Sequence, residues 1–198
     1  MTADNNKRKK IKRELIEWSV IIGIGLFLYL TGLHTQVIGT IQGIVLKTGI
    51  IKPNTSSEGP MDRAEYQFNL IDRNGNLLQG TSLKGKVVFM NLWATWCPPC
   101  IAEMPDINQL YKEFKGHNEV RFILISLDDD FKKAIEFVEK KDFEFDIYQF
   151  ASHIPEAYRS QIIPTTFVIS PSGEIVVKKE GMAKYNSKSF KEFLRSFY

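Results

Sequence analysis

From residue 66 onward, short apolar runs alternate with turn-forming clusters, and the run Val87-Val88-Phe89-Met90-Asn91-Leu92-Trp93 is nearly unbroken. An apolar run on both parities predicts a strand covered on both faces of a sheet. Beyond it Met104, Ile107, Leu110, Tyr111 and Phe114 recur at helical spacing. Ala102, Asp106, Gln109, Lys112 and Glu113 fall on the opposite side, so an amphipathic helix is expected there. Pro98 and Pro99 suit its first turn, where a missing N–H costs nothing, while Pro105 removes one helical hydrogen bond and predicts a kink. Further along, the pattern gives a strand over 120–127, a helix over about 130–141, and a short extra strand and helix around 145–159. Residues 66–71 and 76–79 read as a hairpin about Asp72-Arg73-Asn74-Gly75, and 165–169 with 174–177 as a second one about Ser170-Pro171-Ser172-Gly173. Ser187 can cap a last helix whose apolar face is Phe190, Phe193, Leu194 and Phe197. Strands alternating with helices predict an α/β domain over 64–198.

The first fifty residues follow another pattern. Residues 18–46 contain no Asp, Glu, Lys or Arg, and a helix of about 20 apolar residues spans a bilayer. A transmembrane anchor is therefore expected over 18–38. The segment 1–17 before it carries Lys7, Arg8, Lys9, Lys10, Lys12 and Arg13, which places the N-terminus on the cytoplasmic side. A cleaved signal peptide has the same charge order, but no small-x-small cleavage site follows the apolar core, and apolar character persists to Ile51. Val37, Ile38, Ile41, Ile44 and Val45 continue as an amphipathic helix suited to the outer interface. Residues 52–62, with two prolines, a glycine and Thr-Ser-Ser, read as a tether, so 39–63 form an interfacial segment and linker. Of 26 basic and 23 acidic residues, the excess of +3 sits wholly in 1–17. The remainder is balanced and has no basic surplus to suggest a nucleic-acid partner.

The only two cysteines in 198 residues, Cys97 and Cys100, stand three apart at the junction of the long strand and the helix. At a helix N-terminus, unpaired N–H groups and the dipole favour thiolate over thiol. Cys97 is therefore expected to be the exposed, attacking thiol, with Cys100, one turn in, more buried and able to resolve a mixed disulfide. A structural zinc site needs four ligands, and His34, His117 and His153 form no HxxxH-type pair. A purely structural disulfide closing so short a loop stabilises little. Glu103 falls within the stripe of Ile107, Leu110 and Phe114, about 60° around the axis from Cys100. Burial there would raise its pKa and let it shuttle the proton that exchange requires; the alternative, an ordinary first-turn acid swung into solvent at Pro105, stays open. The run Asp128-Asp129-Asp130 reads as caps and dipole partners for the next helix rather than as a metal site.

Two segments carry a family resemblance: Trp93-Ala94-Thr95-Trp96-Cys97-Pro98-Pro99-Cys100 and Ile163-Pro164-Thr165-Thr166-Phe167-Val168-Ile169. With Pro105 and Glu103 they resemble the membrane-anchored TlpA/ResA-like thiol-disulfide oxidoreductases of the thioredoxin superfamily, over about 130 residues. The resemblance implies a thioredoxin-like α/β fold with an N-terminal β-hairpin and a central insertion, preceded by one transmembrane helix. It implies a cis bond before Pro164, and a substrate-binding surface made by Trp96, Pro98, Pro99, Ile163, Pro164 and Thr165 beside the catalytic Cys97, Cys100 and Glu103. The implied activity is reduction of disulfides in exported proteins, apocytochrome c being the family's best-known case. The electron donor would be a membrane thiol carrier of the CcdA/DsbD type, and the domain would sit on the periplasmic side of the bacterial cytoplasmic membrane. No cofactor is implied, because the Cys97–Cys100 dithiol carries the electrons. Two other classes stay open. A peroxiredoxin-like peroxidase shares the fold, although its Pro-x-x-x-Thr-x-x-Cys pattern is not matched before Cys97. A non-enzymatic thioredoxin-fold adaptor would have dispensable cysteines.

Overall fold

A computed structural model of the chain describes residues 2–31, 33–47, 53 and 62–198. The domain is organised around β3 (Val87–Trp93), buried along its whole length. It pairs in parallel with β4 (Val120–Ser126) on one side and antiparallel with β6 (Thr165–Ile169) on the other. The sheet extends outward through β5 (Ile147–Phe150), β1 (Asn69–Asp72) and β2 (Leu77–Gln79) at one edge and β7 (Ile175–Glu180) at the other, giving the order β2-β1-β5-β4-β3-β6-β7. Stepping from β3 to β4 to β5 in one direction requires two crossovers of the same hand, so their helices cover the same face. These are α3 (Pro98–Phe114) and α4 (Phe131–Lys140), joined there by α5 (Lys188–Arg195).

Strand alternation divides the core in two. Val87, Phe89 and Trp93 face the helices, where they meet Met104, Ile107, Leu110, Phe137, Phe190 and Leu194. Val88, Met90 and Leu92 face the other way, against Phe68, Leu83, Tyr158, Phe167 and Ile175. Both predicted hairpins form. The first turns at Gly75, with φ +82°, while Asp72 accepts from the backbone N–H groups of Asn74 and Asn76, both at 2.8 Å. In the second, Gly173 has φ +84°. Asp130 caps α4 through Lys132 N–H, and Ser187 caps α5 through Phe190 N–H. The insertion holds β5 and a single 3₁₀ turn, Glu156–Tyr158. This is the thioredoxin-like α/β architecture, with the N-terminal hairpin and central insertion that the motifs implied.

The N-terminal segment departs from expectation. The apolar stretch expected to form one helix over 18–38 is divided between α1 (Thr2–Leu30) and α2 (Leu33–Lys47). The break falls at Thr31, whose N–H and hydroxyl both return to the Phe27 carbonyl, at 3.0 and 2.8 Å. Its apolar part in α1, residues 18–30, covers about 20 Å against the ~30 Å of a hydrocarbon core. Among the described residues no helix is long and apolar enough to cross a membrane. That part of α1 is nevertheless largely exposed, with Trp18, Ile21, Ile22, Phe27 and Leu30 uncovered and only Leu28 half-buried. The segment after it, α2, lies on α3. Gly39 and Gly43, four apart, bring it close: an added Cβ at Gly39 would stand 2.9 Å from the Pro98 carbonyl oxygen, and one at Gly43 3.5 Å from that of Ala102. Ala102, expected on the solvent side of α3, is buried. The tether read over 52–62 lies outside the described residues except for Pro53 and Asp62.

Candidate functional site

The chain leaves β3 at Trp93, turns through residues 94–96 and enters α3 with Cys97 as the N-cap and Pro98 and Pro99 as its first residues. Neither proline has an N–H to satisfy, so Cys100 supplies the first amide that needs a partner. That amide donates to Cys97 Sγ at 3.3 Å, a hydrogen bond that favours sulfur carrying negative charge. Cys97 and Cys100 are joined as a disulfide, with Cα atoms 5.3 Å apart. The loop before them is fastened from below by Asp128. Its carboxylate accepts from Thr95 N–H at 3.0 Å, Thr95 hydroxyl at 2.6 Å and Ser126 hydroxyl at 2.8 Å. Asp128 and Asp130 are thus spent on a loop anchor and a helix cap.

Opposite the disulfide runs the segment 160–165. The Ile163–Pro164 bond is cis, and the Ile163 carbonyl oxygen lies 3.7 Å from Cys97 Sγ. Thr165 is buried, and its hydroxyl donates to the Ile162 carbonyl at 2.6 Å, while Gly181 N–H donates to the Pro164 carbonyl at 2.8 Å. Pro98, Pro99 and Ile163 are half-buried around the sulfur and Pro164 is buried. Trp96 is 58% exposed. One expectation needs correction: Cys97 is only 4% exposed, against 0% for Cys100. Capping turns its side chain back over the first turn of α3 toward the Cys100 amide, and Trp96 takes the outward position.

Glu103 is fully buried one turn beyond Cys100, so the solvent-exposed alternative is excluded. Its Oε1 accepts from Asn91 Nδ2 at 2.8 Å, and its Oε2 from Ala183 N–H at 3.2 Å. Desolvation pushes its pKa up to about 8; the Asn91 and Ala183 bonds oppose the rise, and nearby Asp106 adds to it. Asp106, on the same helix, is also raised, chiefly by burial, while accepting from the amides of Tyr185 and Asn186 at 2.6 and 2.8 Å. The two carboxylates therefore clamp the 183–186 loop onto α3.

Three contributors went unnoticed in the sequence. Asn91 had a visible signal, as the one amide in an otherwise apolar strand, on the parity that faces the helices. Thr166 had only its place in the segment 163–169 and Ala183 had none, since they meet Asn91 and Glu103, respectively, through β6 and a loop about 80 residues away in sequence. Chemically, the arrangement provides an electropositive helix end for a thiolate at Cys97, a resolving sulfur, and a buried carboxyl group able to hold a proton near neutral pH.

Comparison with known proteins places the chain in a family. The AhpC/TSA family matches residues 62–178. The chain is 37% identical over 99 residues to the thiol-disulfide oxidoreductase ResA of Oceanobacillus iheyensis, covering 50% of this chain and 51% of that protein. It is 34% identical over 130 residues to the thiol-disulfide oxidoreductase ResA of Halalkalibacterium halodurans, covering 65% and 73%. The match thus spans only about half the length of the first relative. A solved Bacteroides vulgatus structure, described as a thiol-disulfide oxidoreductase, superposes with a TM-score of 0.59 at 26% identity, over 72% of this chain and 100% of that one.

Proposed function

The chain belongs to the AhpC/TSA family, among its ResA-like thioredoxin-fold members, and on that premise we propose that it is a thiol-disulfide oxidoreductase that reduces disulfides in exported proteins. The observation that carries this reading is the placement of the Cys97–Cys100 pair at the N-terminus of α3, facing Ile163 and above the buried Glu103. In the forward direction the Cys97 thiolate attacks a substrate disulfide, and the departing substrate sulfur leaves as a thiolate and takes up a proton. Cys100, deprotonated, then attacks Cys97 Sγ. The second substrate sulfur is released and protonated, and the Cys97–Cys100 disulfide remains. Two electrons pass to the substrate. Glu103, buried one turn beyond Cys100, takes the Cys100 proton in this reading. The exposed Trp96 and the half-buried Pro98, Pro99 and Ile163 give an extended substrate segment an apolar surface beside the sulfur, with Pro164 and Thr165 holding Ile163 in place.

An exported-protein reductase needs a supply of electrons outside the cytoplasm, and a membrane thiol carrier of the CcdA/DsbD type fits that need. The uncovered apolar part of α1 and the basic cluster before it support attachment to the cytoplasmic membrane with the CxxC domain on the outer side. Apocytochrome c, with its paired cysteines, is one candidate substrate. The test is a Cys100→Ala variant expressed in its native membrane, which retains the attacking thiol and lacks the resolving one. Mixed disulfides with exported proteins are expected, lost on further Cys97→Ala substitution, and external protease on spheroplasts should remove the domain. Peroxide turnover without protein-disulfide exchange would support the peroxidase class instead; unchanged function with both cysteines replaced would support an adaptor.

A further inference from the structure

Asn91 is fully buried at the centre of β3, on the face that looks toward the helices. Its Nδ2 donates twice, to Glu103 Oε1 and to Thr166 Oγ1, each at 2.8 Å. Its Oδ1 is buried with no hydrogen-bond partner. Thr166 sits directly across the β3–β6 ladder from Asn91, and the Tyr185 hydroxyl, buried close to Thr166, has no partner inside hydrogen-bond geometry either. A buried amide is stable only when bonded, and this one is bonded on one side alone.

That side has a direction. With Nδ2 toward Glu103 the amide offers only donors, which suits a carboxylate. Were Glu103 to take a proton on Oε1, an O–H would face an N–H. A half-turn about the Asn91 Cβ–Cγ bond removes the conflict, because the amide oxygen and nitrogen are nearly equal in size and opposite in hydrogen-bonding character. Oδ1 would then accept from the Glu103 O–H and from the Thr166 hydroxyl, which donates as readily as it accepts. Glu103 Oε2 would keep the Ala183 N–H throughout. The turned amide carries two N–H donors into the place where Oδ1 now lacks a partner, so the present orientation is preferred and Asn91 favours the carboxylate.

We propose that Asn91 is a positioning residue whose side-chain amide turns over as Glu103 gains and loses a proton, holding acid and carboxylate in the same place beside the cysteines. The charged and titratable groups facing Glu103 are Asp106 from α3, Lys179 from β7 and Tyr185 from the clamped loop, with Cys100 one turn earlier on α3. Asn91 is the only one of its hydrogen-bond partners among the described side chains able to reverse from donor to acceptor. The inference rests on Glu103 being the proton-handling group, not on which protein is reduced.

The test follows the pH profile of Cys97 alkylation in the reduced full-length chain, where the inflection belonging to Glu103 is the one that Glu103→Gln removes. Asn91→Leu, which keeps the branched shape and deletes the donor, should move that inflection upward by about one to two pH units. An unmoved inflection overturns the proposal. Should Asn91→Leu fail to fold, the wild-type chain decides: the side-chain amide resonance of Asn91 should titrate with the same midpoint as the Glu103 carboxyl carbon. An amide signal independent of pH while that carbon titrates overturns it equally. Loss of protein-disulfide reduction with these readouts as expected would count against the proposed function alone.

Discussion

Asp128 binds Thr95 through both its backbone N–H and its hydroxyl, at 3.0 and 2.6 Å, and so ties the residue two before Cys97 to the end of β4. A loop that must present a sulfur in one position is held by the strand next to the one it leaves. Asp128→Ala strands the Thr95 N–H and hydroxyl and the Ser126 hydroxyl, at a cost of about 1–3 kcal/mol. Urea unfolding should show that loss, and Cys97 alkylation should change rate as the loop loosens. Asp128→Asn keeps one acceptor oxygen and should recover part of the stability.

Burial of Glu103 has a thermodynamic consequence with a definite sign. Its pKa rises from an ordinary 4.5 to about 8 on folding, so between those values the native state holds a proton that the unfolded state has released. Its contribution to stability is fully present below about pH 4.5, declines as pH rises, and is lost above about pH 8. The slope of one such group is about 1.4 kcal/mol per pH unit. Unfolding free energies of wild type and Glu103→Gln, measured from pH 5 to 8, should diverge with that sign, the wild type falling relative to the variant. Parallel curves would show that Glu103 is ionised at neutral pH despite its burial.

The same substitution separates stability from chemistry. Ionised Glu103 disfavours a nearby thiolate, so Glu103→Gln should lower the apparent pKa of Cys97 or Cys100. Under the proposed mechanism it also removes the proton acceptor for Cys100, so exchange near neutrality should slow even though the thiols ionise more readily. Alkylation rates against pH, read beside turnover of a model protein disulfide, distinguish the two effects. Superimposable alkylation curves would leave the carboxyl group without influence on the sulfurs.

The parts of this fold that could be read in advance are those governed by local pattern. Val87–Trp93 declared a doubly covered strand through composition, Gly75 and Gly173 marked turns that need positive φ, and Ser187 and Asp130 marked helix starts. Glu103 was legible because helical periodicity put a carboxyl group in an apolar stripe. What was not legible depends on elements distant in sequence. Ala183 reaches Glu103 and Tyr185 reaches Asp106 only because α5 and the loop before it fold onto α3. The low exposure of Cys97 follows from its capping rotamer, which sequence spacing does not specify. The division of the N-terminal apolar segment at Thr31 also escaped the pattern, since hydropathy measures length of apolar sequence and not where the backbone turns.

The α2–α3 contact offers a test with an internal control. Gly39 and Gly43 lie on one face of α2, and either glycine replaced by alanine gains helix propensity of about 1 kcal/mol. Their surroundings differ. At Gly39 the new Cβ would stand 2.9 Å from the Pro98 carbonyl oxygen and 3.0 Å from Ile101 Cγ2, whereas at Gly43 it would meet only the Ala102 carbonyl oxygen at 3.5 Å, an ordinary contact. Pro98 is in the first turn of α3 and cannot retreat without moving the N-cap at Cys97. Gly39→Ala should therefore lift α2 from α3, uncovering Ile101 and Ala102, while Gly43→Ala should leave the contact in place. Hydrogen exchange along the first two turns of α3, with Cys97 alkylation alongside, should accelerate in the Gly39 variant only. Equal exchange in both variants would mean that α2 does not rest on the active-site helix in solution.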